Sequence, residues 1–545
     1  MESIVVRSLP PNVVLSHAHL GALFGQRPVP QVRGSGIPHA SATKSVKVVN
    51  VASGKSISVG VFGPSSSGTT TRVQLSGTAL RRIGLEAPTR LSRSLKGSGS
   101  CKLVGPLGEV VLSEGVIRPW RSASMSTKLA SKFGLKHNDN VALKVTCPRN
   151  SVTFCTVKAQ VEDQHAGEVV TCVLDSDEAG ACLLADATQF DLYAMQGKID
   201  NSFTFVHLCT TSAIGKVNPA RVDTWAREVM SREFKQNYPS SSPVVDVTDV
   251  STTGGNKESS VSFSDEKEFK LNVDVSNRHV HVSPEALEKL YGKNYSLEPY
   301  KPIAYLPEWL AKLAAFSAKE TVTIKNTETN NEIRNVRILG PPRARSQIEL
   351  AFTDCQILGI EAPTRISGDN VNSSPIVLIA EDLSSGKPTT RRLNLGTGAL
   401  RAWRHIHADE DEADRLGFQA GDVLTLAVKS KGSTTLFHDV LARVGGDGDG
   451  VEKPGFSLWK LAKPYLMAAA GVYLKWVGRP GLIIHLDTDE GNACFLSDAE
   501  YFTLYKQLND GKGGLKFLGS TKNMAKMPDR RQKMWQEEVK YRANL

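Results

Sequence analysis

The chain has 545 residues, of which 40% are apolar, 22% are charged and only 7% are aromatic. This composition predicts a globular protein of about three or four domains and excludes a disordered or fibrous chain. The net charge of +10 is spread along the chain, without a basic block interleaved with aromatic residues. A nucleic-acid-binding surface is therefore disfavoured, whereas acidic small molecules remain attractive ligands.

The N-terminal region is poor in acidic residues, because residues 3–85 contain no Asp or Glu and serine is frequent there. Such a composition is typical of organellar transit peptides, but it also fits a folded domain, which the repeat described below favours. The eight cysteines form no C-x-x-C pair and no secretory signal precedes them, which predicts free thiols in a reducing compartment. We expect a cytoplasmic protein, with import into an organelle as the alternative.

The chain contains an internal duplication. Residues 84–92 (GLEAPTRLS) and 359–367 (GIEAPTRIS) are identical at seven of nine positions. Further landmarks recur in the same order, namely Gly63-Pro64 and Gly340-Pro341, Trp120-Arg121 and Trp403-Arg404, and Leu174-Asp175 and Leu486-Asp487. The pair His17-Ala18-His19 is interpreted as the counterpart of His279-Val280-His281. These matches predict two copies of one module of about 200–240 residues.

The duplication predicts the domain boundaries. Residues 1–238 form the first copy, 239–268 a linker rich in Ser, Thr, Gly and Asp, 269–510 the second copy and 511–545 a basic tail. The second copy carries an insertion at about 445–480. Its apolar run, 456–477, is interrupted by lysines and is too short for the roughly 20 residues of a transmembrane helix. We expect a helix that packs on the fold or against a second copy of the chain, with an interfacial membrane helix as the alternative.

Short strands and frequent turns dominate the predicted secondary structure. In the second copy, strands are predicted at residues 321–325, 334–339, 376–380, 423–428 and 482–486. Helices are predicted at 284–291 after a Ser283 cap, at 306–315, at 409–416 with an acidic first turn, and at 529–543 in the tail. Because long helices do not alternate with strands, a TIM barrel or a Rossmann sheet is disfavoured. We expect a mainly β fold with short helices, in which each module consists of two small β-barrels.

Two histidine pairs in the second copy share the pattern R-H-[VI]-H, namely Arg278-His279-Val280-His281 and Arg404-His405-Ile406-His407. Residues two apart in a strand point to the same side, so each pair presents two imidazoles to one divalent cation. A single H-x-H is more often two unrelated, half-exposed histidines. The recurrence of the tetrad favours metal binding.

Differences between the copies identify further candidate ligands. The first copy has Ser122 for His405, Ser124 for His407, Val173 for His485 and Gln74 for Glu349. Each change removes a metal ligand or a charge and keeps the apolar surroundings. These positions are therefore candidates for chemistry rather than for packing.

The candidate ligands form two groups of three, His279, His281 and Glu349 in one, and His405, His407 and His485 in the other. Three protein ligands leave a position open for water or substrate, which is typical of catalytic metal sites. Asp487 and Asp489 are interpreted as carboxylates that support the ligands or a turn. His438 is interpreted as a structural residue.

Arginine and serine side chains suited to phosphate accompany these ligands. Arg343 and Arg345 follow the Gly-Pro-Pro turn at 340–342, which can bring a guanidinium close to an oxyanion. Arg365 and Ser367 form a second candidate anion contact. However, the first copy keeps Arg90 as the counterpart of Arg365, so Arg365 is interpreted as a structural residue. The counterparts of Ser367 and Arg404 also survive, and structural roles stay open for these two.

These motifs resemble those of the PduL-type phosphotransacylases, the phosphate propanoyltransferases. The resemblance spans about residues 270–510 and lies in the motifs SNRHVH (276–281), VRILGPPR (336–343), QIEL (347–350), APTRISGD (362–369), RHIH (404–407) and HLDTDEGNA (485–493). The first copy shares it in weakened form, which implies that residues 1–238 are a degenerate and inactive copy.

The resemblance implies paired β-barrels with a two-zinc site in the cleft between them. It also implies a reversible reaction in which acyl-CoA and inorganic phosphate give acyl phosphate and CoA. One zinc would be bound by His279, His281 and Glu349, and the other by His405, His407 and His485. Arg343 would bind the phosphate, and Ser367 would line the site. Residues 305–308 (YLPE) depart from the Gln-Pro-Gly-like CoA contact of the family, so the CoA contacts stay open.

Three functions are therefore considered. The first is a phosphate acyltransferase acting on acetyl-CoA or propanoyl-CoA, as a monomer or a homo-oligomer. The second is a binuclear metallohydrolase such as an acyl-CoA thioesterase, with water at the open ligand position. The third is a metal-stabilised scaffold without catalytic activity. A requirement for phosphate in CoA release distinguishes the phosphate acyltransferase from the metallohydrolase. Catalytic activity of any kind excludes the scaffold.

Overall fold

The computed structural model describes residues 2–25, 44–63, 70–92, 94–147, 150–163, 168–196, 204–213, 269–302, 316–382, 389–445, 481–507 and 515–523. The predicted linker and the helices predicted at 306–315, 456–477 and 529–543 lie outside these residues, as does all of the insertion except Gly445.

The described residues form many strands and a few short helices. The strands are β1 (Ser3–Leu9), β2 (Asn12–Val14), β3 (Ser45–Val49), β4 (Ser56–Phe62), β5 (Arg72–Gln74), β6 (Thr89–Arg90), β7 (Gly99–Val104), β8 (Glu109–Pro119), β9 (Ser122–Met125), β10 (Asn140–Thr146), β11 (Val152–Val161), β12 (Val169–Asp175), β13 (Gln189–Gln196), β14 (Thr204–Ser212), β15 (Leu271–Ser276), β16 (His279–His281), β17 (Pro299–Pro302), β18 (Phe316–Lys325), β19 (Glu332–Gly340), β20 (Gln347–Glu349), β21 (Thr364–Arg365), β22 (Ser374–Asp382), β23 (Thr389–Ala402), β24 (His405–Ala408), β25 (Val423–Ser430), β26 (Ser433–Val444), β27 (Leu482–Asp487), β28 (Ala499–Gln507) and β29 (Leu515–Lys522). The helices are α1 (His17–Phe24), α2 (Gly77–Ile83), α3 (Thr127–Phe133), α4 (Ser176–Ala181), α5 (Pro284–Tyr291), α6 (Phe352–Leu358), α7 (Glu410–Leu416) and α8 (Thr488–Ala493). The fold is mainly β, as predicted, and the five strands predicted in the second copy are confirmed.

A closed six-stranded barrel begins the first copy. Its strands pair in the order β5-β2-β4-β3-β7-β8, and β8 returns to pair with β5. Successive side chains of a strand point alternately into and out of the barrel, and Val48, Val61 and Leu103 fill its interior without exposed surface. Closure satisfies the backbone hydrogen bonds around the ring and gives a rigid frame for short functional strands.

The second copy begins with an equivalent barrel. Its strands pair in the order β16-β19-β18-β22-β23-β20, and β20 returns to pair with β16. Val280, Ile338 and Leu378 fill its interior. In strand β16 the apolar Val280 therefore points inward, which turns His279 and His281 to the opposite face.

Strands β6, β17 and β21 pair with barrel strands, and the other strands of both copies form one sheet of fourteen strands. Each copy contributes seven, in the order β1-β12-β9-β11-β10-β13-β14 and β15-β27-β24-β26-β25-β28-β29. The sets join through antiparallel pairing of β11 with β26, where Thr153 lies opposite Leu436. A single hydrophobic core runs from Ile4 in the first copy to Leu518 in the second. Strand β29 lies beyond residue 510, so the sheet of the second copy extends past its predicted end.

Polar caps fix the start of most short helices. The helix predicted at 284–291 is α5, and the hydroxyl of Ser283 accepts a hydrogen bond from Ala286 N. Helix α7 follows the Asp409 cap and has three acidic residues in its first turn, where the helix dipole favours them. Among the described residues, every helix is too short or too polar to cross a membrane.

The strand registers correct one predicted equivalence between the copies. Asn12 pairs with Gln74 in the first barrel, and His279 pairs with Glu349 at the same place in the second. Asn12 and Val14 therefore occupy the positions of His279 and His281. The prediction that His17 and His19 correspond to those histidines was wrong, because Ser16 caps α1 as Ser283 caps α5 and both first-copy histidines follow that cap.

Candidate metal centre

The first group of candidate ligands lies on adjacent strands of the second barrel. His279 and His281 lie on β16, and their ring centroids are 4.9 Å apart. Glu349 lies on the neighbouring strand β20, directly opposite His279, with its Oε2 3.4 Å from His279 Nε2. One ligand atom from each of the three residues lies within 4.8 Å of the others. The predicted trio is therefore brought together.

The second group lies in the fourteen-stranded sheet. His405 and His407 lie on β24, and His485 lies on the adjacent antiparallel strand β27, opposite His405. The rings of His405 and His485 stack with centroids 4.8 Å apart, and those of His407 and His485 are 5.2 Å apart. Their ligand atoms also lie within 4.8 Å of one another. The second predicted trio is therefore formed as well.

Hydrogen bonds to the backbone orient the first histidine of each pair. His279 Nδ1 lies 2.8 Å from Asn277 O, and His405 Nδ1 lies 2.8 Å from Trp403 O. A carbonyl oxygen accepts a hydrogen bond only from a protonated Nδ1, so Nε2 is left as the lone-pair nitrogen in the neutral ring. Burial, and then the neighbouring His485 and His407, lower the pKa of His405 well below its ordinary value. This ring is therefore neutral at pH 7, the form that binds a metal.

Both trios line one cavity of about 580 Å³ between the second barrel and the sheet. Within each trio the donors are only imidazole nitrogens and a carboxylate oxygen, which are ligands that zinc prefers. Three donors leave room for an exogenous ligand in a four-coordinate site. The residues present therefore fit two zinc ions.

A chain of hydrogen bonds connects Arg343 to the first trio. Arg343 Nη1 donates to Ser367 Oγ at 3.4 Å, and Ser367 Oγ donates to Glu349 Oε1 at 2.6 Å. Gln347 Nε2 donates to the same carboxylate oxygen at 3.0 Å. These contacts leave Oε2 facing His279 and fix the orientation of the carboxylate. Arg343 and Ser367 both line the cavity, as predicted, whereas Arg345 lines a different groove.

Some residues in or next to the cavity were not identified from the sequence. Gln347 does not line the cavity but contacts Glu349, and its position two residues before Glu349 on the same strand was a usable signal. Lys301 and Arg337 line the cavity and bring positive charge to its wall. Arg337 Nη1 donates to the carbonyls of Ala318 and Lys319, which orients the guanidinium. No local motif distinguished these cations from others on the surface.

The residues interpreted as structural have structural contacts. Arg365 is fully buried and donates to the carbonyls of Val371 and Thr364, and its counterpart Arg90 donates to Thr89 O in the same manner. Asp487 caps α8. Asp489 accepts hydrogen bonds from the backbone and hydroxyl of Thr353.

His438 lies inside the junction between the copies, away from the cavity. Its Nε2 lies 3.0 Å from Thr153 Oγ1, and its Nδ1 lies 3.2 Å from Thr425 Oγ1. Burial lowers its pKa well below the ordinary value, and Lys144 and Arg404 lower it further. The interpretation of His438 as a structural residue is confirmed.

The first copy has lost the entire ligand set. Ser122 pairs with Val173 as His405 pairs with His485, so the sheet positions are equivalent. The six ligand positions are occupied by Asn12, Val14, Gln74, Ser122, Ser124 and Val173. Gln74 Nε2 donates to Ser92 Oγ, which preserves the contact that Glu349 makes with Ser367. The first copy therefore keeps the strand pairing around these positions but has none of the side chains proposed to bind a metal.

Comparison with known proteins agrees with this geometry. A model of the family named phosphate propanoyltransferase matches residues 11–185 and 272–449, which is more than half of the chain and one match in each copy. The chain belongs to this family. The double match also confirms the tandem duplication.

Curated members of the phosphate propanoyltransferase family are similar to the chain. A protein of that name from Planctopirus limnophila is 32% identical over 297 residues, which cover 54% of this chain and 95% of the relative. The protein from Thermotoga maritima is 33% identical over 43% of this chain and 88% of its own length. The protein from Lachnoclostridium phytofermentans is 35% identical over 32% of this chain and 74% of its own length. The name is that of an acyltransferase, so the chain is an enzyme of this class.

Proposed function

We propose that the chain is a phosphate acyltransferase that reversibly transfers a short acyl group, acetyl or propanoyl, between CoA and inorganic phosphate at a two-zinc site. The observation that carries the proposal is the convergence of both ligand trios and Arg343 on one cavity of a member of this family. The site is confined to the second copy. The first copy is proposed to be inactive, because it has no candidate ligand at any of the six positions.

The proposed zinc ligands are His279, His281 and Glu349 for one ion, and His405, His407 and His485 for the other. When bound, zinc supplies a Lewis acid that polarises the thioester carbonyl and stabilises the oxyanion formed there. The chain contributes the orientation of the ligands. Ser367 and Gln347 restrict the Glu349 carboxylate, and the backbone carbonyls restrict His279 and His405.

Arg343 is proposed to bind the attacking phosphate. Its guanidinium can form two parallel hydrogen bonds with phosphate oxygens, which fixes both the position and the orientation of the nucleophile. Ser367, at the end of the same hydrogen-bond chain, lines the cavity and is the adjacent polar contact. Because the phosphate is held next to the carbonyl, its attack does not depend on a random encounter in solution. A phosphate oxygen bonds to the carbonyl carbon, and the C–S bond then breaks to release CoA as a thiolate.

The diphosphate of CoA is proposed to lie along the basic wall formed by Lys301 and Arg337. Tyr300 adjoins this wall, with its ring 5.0 Å from the Arg337 guanidinium and largely exposed. A covalent cysteine intermediate is not part of the mechanism. All eight cysteines are buried, and burial raises the pKa of Cys494 to about 12, so its thiolate is scarce at pH 7.

We expect CoA release from acetyl-CoA or propanoyl-CoA to require inorganic phosphate and to produce acyl phosphate in equal amount. Metal analysis on the same sample should find about two zinc ions per chain, since each trio provides three donors. A thiol-reactive dye measures CoA, and hydroxylamine trapping measures acyl phosphate. CoA release without phosphate would identify a thioesterase instead. A metal-loaded chain with neither activity would identify a scaffold.

The first copy is proposed to support the second in the place of a separate subunit. Arg118 Nη2 donates to Asn492 O at 2.9 Å, and Asn492 Nδ2 donates to Thr78 Oγ1 at 2.7 Å. Asn492 lies on α8, the helix that directly follows the strand carrying His485. The first copy thereby contacts the element that carries a ligand, and it also covers the edge of β26.

Deletion of residues 1–240 is expected to prevent recovery of a folded, active second copy. The deletion exposes apolar residues of the shared core and leaves three residues of β26 without their partner strand. Solubility, circular dichroism and acyl phosphate formation measure the outcome. The full-length Arg118→Ala variant is the milder comparison, and it should fold but unfold at a lower temperature. A truncated chain with unchanged folding and activity would contradict the supporting role.

A further inference from the structure

A second polar groove lies on the outside of the barrel of the second copy. Its volume is about 590 Å³. Four segments line it: the first turns of α5, the loop at Arg345 and Ser346, the loop at residues 370–372, and strand β23. None of the six candidate zinc ligands lines this groove, and its lining residues differ from those of the metal cavity.

The two cations of the groove and its asparagines are confined to the second copy. The hydroxyl of Ser346 accepts a hydrogen bond from the backbone of the helix cap Ser283, and in the first copy the hydroxyl of Thr71 accepts the same bond from the cap Ser16. Ser346 and Thr71 are therefore equivalent, and so are the residues before them, Arg345 and Thr70. Backbone conformation identifies two further pairs of equivalent residues, because positive φ angles occur at the same turns in both copies. Asn372 (φ 53°) corresponds to Gly97 (φ 71°), and Gly398 (φ 148°) corresponds to Gly115 (φ 144°). From these anchors, the first copy has Ala22 for Lys289, Thr70 for Arg345, Leu95 for Asn370 and Val111 for Asn394. These two cations and two amides are therefore absent from the copy that has none of the candidate metal ligands, where Lys96 and Glu114 occupy the positions of Val371 and Thr397 instead.

The groove carries two cations and several amide groups. Lys289 and Arg345 are exposed, and within the described part of the chain neither side chain forms an ion pair or a hydrogen bond. Glu285 lies one turn before Lys289, so the net charge of the groove is about +1. Asn370 is nine-tenths buried, and its Oδ1 has no hydrogen-bond partner among the described residues. Cations beside amides and hydroxyls suit a phosphate group that is attached to a hydroxylated body.

Two loops connect the groove to the metal cavity. One carries Arg345 towards the groove and Arg343 towards the cavity. In the other, Asn370 Nδ2 donates to Ser346 O at 2.8 Å, while Gly368 N donates to the side chain of Gln347 at 2.8 Å. Gln347 in turn contacts Glu349. A ligand in the groove therefore contacts the same loops that orient Arg343 and the carboxylate.

We infer that this groove is a second ligand site, separate from the metal cavity, for a small phosphate monoester that carries hydroxyl groups. Lys289 and Arg345 bind the phosphate, and the asparagines bind the hydroxyls. The single excess positive charge, with Glu285 nearby, favours a monoester over a nucleoside triphosphate.

Calorimetric titration of the full-length chain with glucose 6-phosphate and with glycerol 3-phosphate tests the inference. At least one probe should bind, and the double variant Lys289→Ala, Arg345→Thr, which installs the residues of the first copy, should bind it about tenfold more weakly or worse. Lys293→Ala, an exposed cation outside the groove, should bind as the parent chain does. Arg343→Ala should also retain binding, because it alters only the metal cavity.

Three results would overturn the inference. Either neither probe binds, or the double variant binds a probe as tightly as the parent chain does. The third is loss of probe binding in Arg343→Ala, which would place the probe in the metal cavity. Vesicles that contain a phosphorylated inositol lipid provide a further arm, and binding to them without binding to a soluble probe would assign the groove to a lipid headgroup. Because these measurements need no turnover, they remain decisive even if the acyltransferase proposal fails.

Discussion

The His405→Ser variant should lose acyl phosphate formation by a factor on the order of 10³ and about one zinc ion per chain. His405 is central in its trio, opposite His485 on the neighbouring strand and two residues from His407. Serine is the residue of the first copy at this position, where β9 keeps its pairing with β12. The loss is therefore expected in a chain that still folds. Metal analysis, activity and circular dichroism on one sample measure the three quantities.

A buried histidine elsewhere in the same sheet provides the matched control. His438→Gln removes an imidazole whose hydrogen-bond partners within the described part of the chain are Thr153 and Thr425, so it should keep the parent's metal content and full activity per folded molecule. Some loss of thermal stability is expected, since glutamine does not reproduce both hydroxyl contacts. A His405→Ser chain with full metal content and activity would exclude His405 as a ligand. Equal loss of activity in both variants would indicate that the fold, not the metal, was affected.

The Arg404→Ala variant should lower the free energy of unfolding by about 3–5 kcal/mol. Arg404 is buried, and its Nη1 lies 3.1 Å from Glu490 Oε1. Its Nη2 donates to Ser151 O of the first copy at 3.5 Å, and its guanidinium lies 5.1 Å from the Phe437 ring. Removing the arginine leaves the buried Glu490 without its cation and opens a cavity at the junction of the copies. Denaturant titration of the full-length chain measures the change.

An exposed ion pair gives the comparison for Arg404. Arg415 lies 2.8 Å from Glu412 on the surface of α7, and its removal should cost less than about 1 kcal/mol. The double variant Arg404→Met, Glu490→Gln removes both charges and keeps a capping side chain at residue 490, so it should be more stable than Arg404→Ala. If Arg404→Ala and Arg415→Ala have equal effects, the buried pair is not a major contributor to the junction.

Much of the candidate site could be predicted because its residues follow local rules. In the segments around His279 and His405, strand periodicity puts both imidazoles of each pair on one face. The first copy has no histidine at the positions of His405, His407 and His485, which marked these three as candidate ligands. His438 occupies no repeated motif and was interpreted differently for that reason. The survival of the counterpart of Arg365 favoured a structural role, which agrees with its buried contacts to backbone carbonyls, whereas the same comparison left the role of Arg404 open. These inferences needed only periodicity and comparison within one chain.

Other features depend on contacts between residues that are distant in the sequence. His17-Ala18-His19 looks like His279-Val280-His281, but only the pairing of β2 with β5 shows that Asn12 and Val14 hold the ligand positions. The basic wall at Arg337 also has no local motif, because a surface arginine becomes part of a cavity only when another element closes over it. Similar letters do not determine strand register, since one shifted residue moves every side chain to the other face.

The sequence by itself determined the duplication, the mainly β character, the family resemblance and the two groups of candidate ligands. Repeats, strand periodicity and the types of donor side chain are all properties of short segments, which is why they could be identified without the structure. Only the tertiary structure decided that one fourteen-stranded sheet joins the copies through β11 and β26. It also decided that both trios face one cavity and that a second groove shares their loops. The physical reason is that strand pairing and cavity formation are set by burial and hydrogen bonding over long chain separations, for which no single segment carries the information.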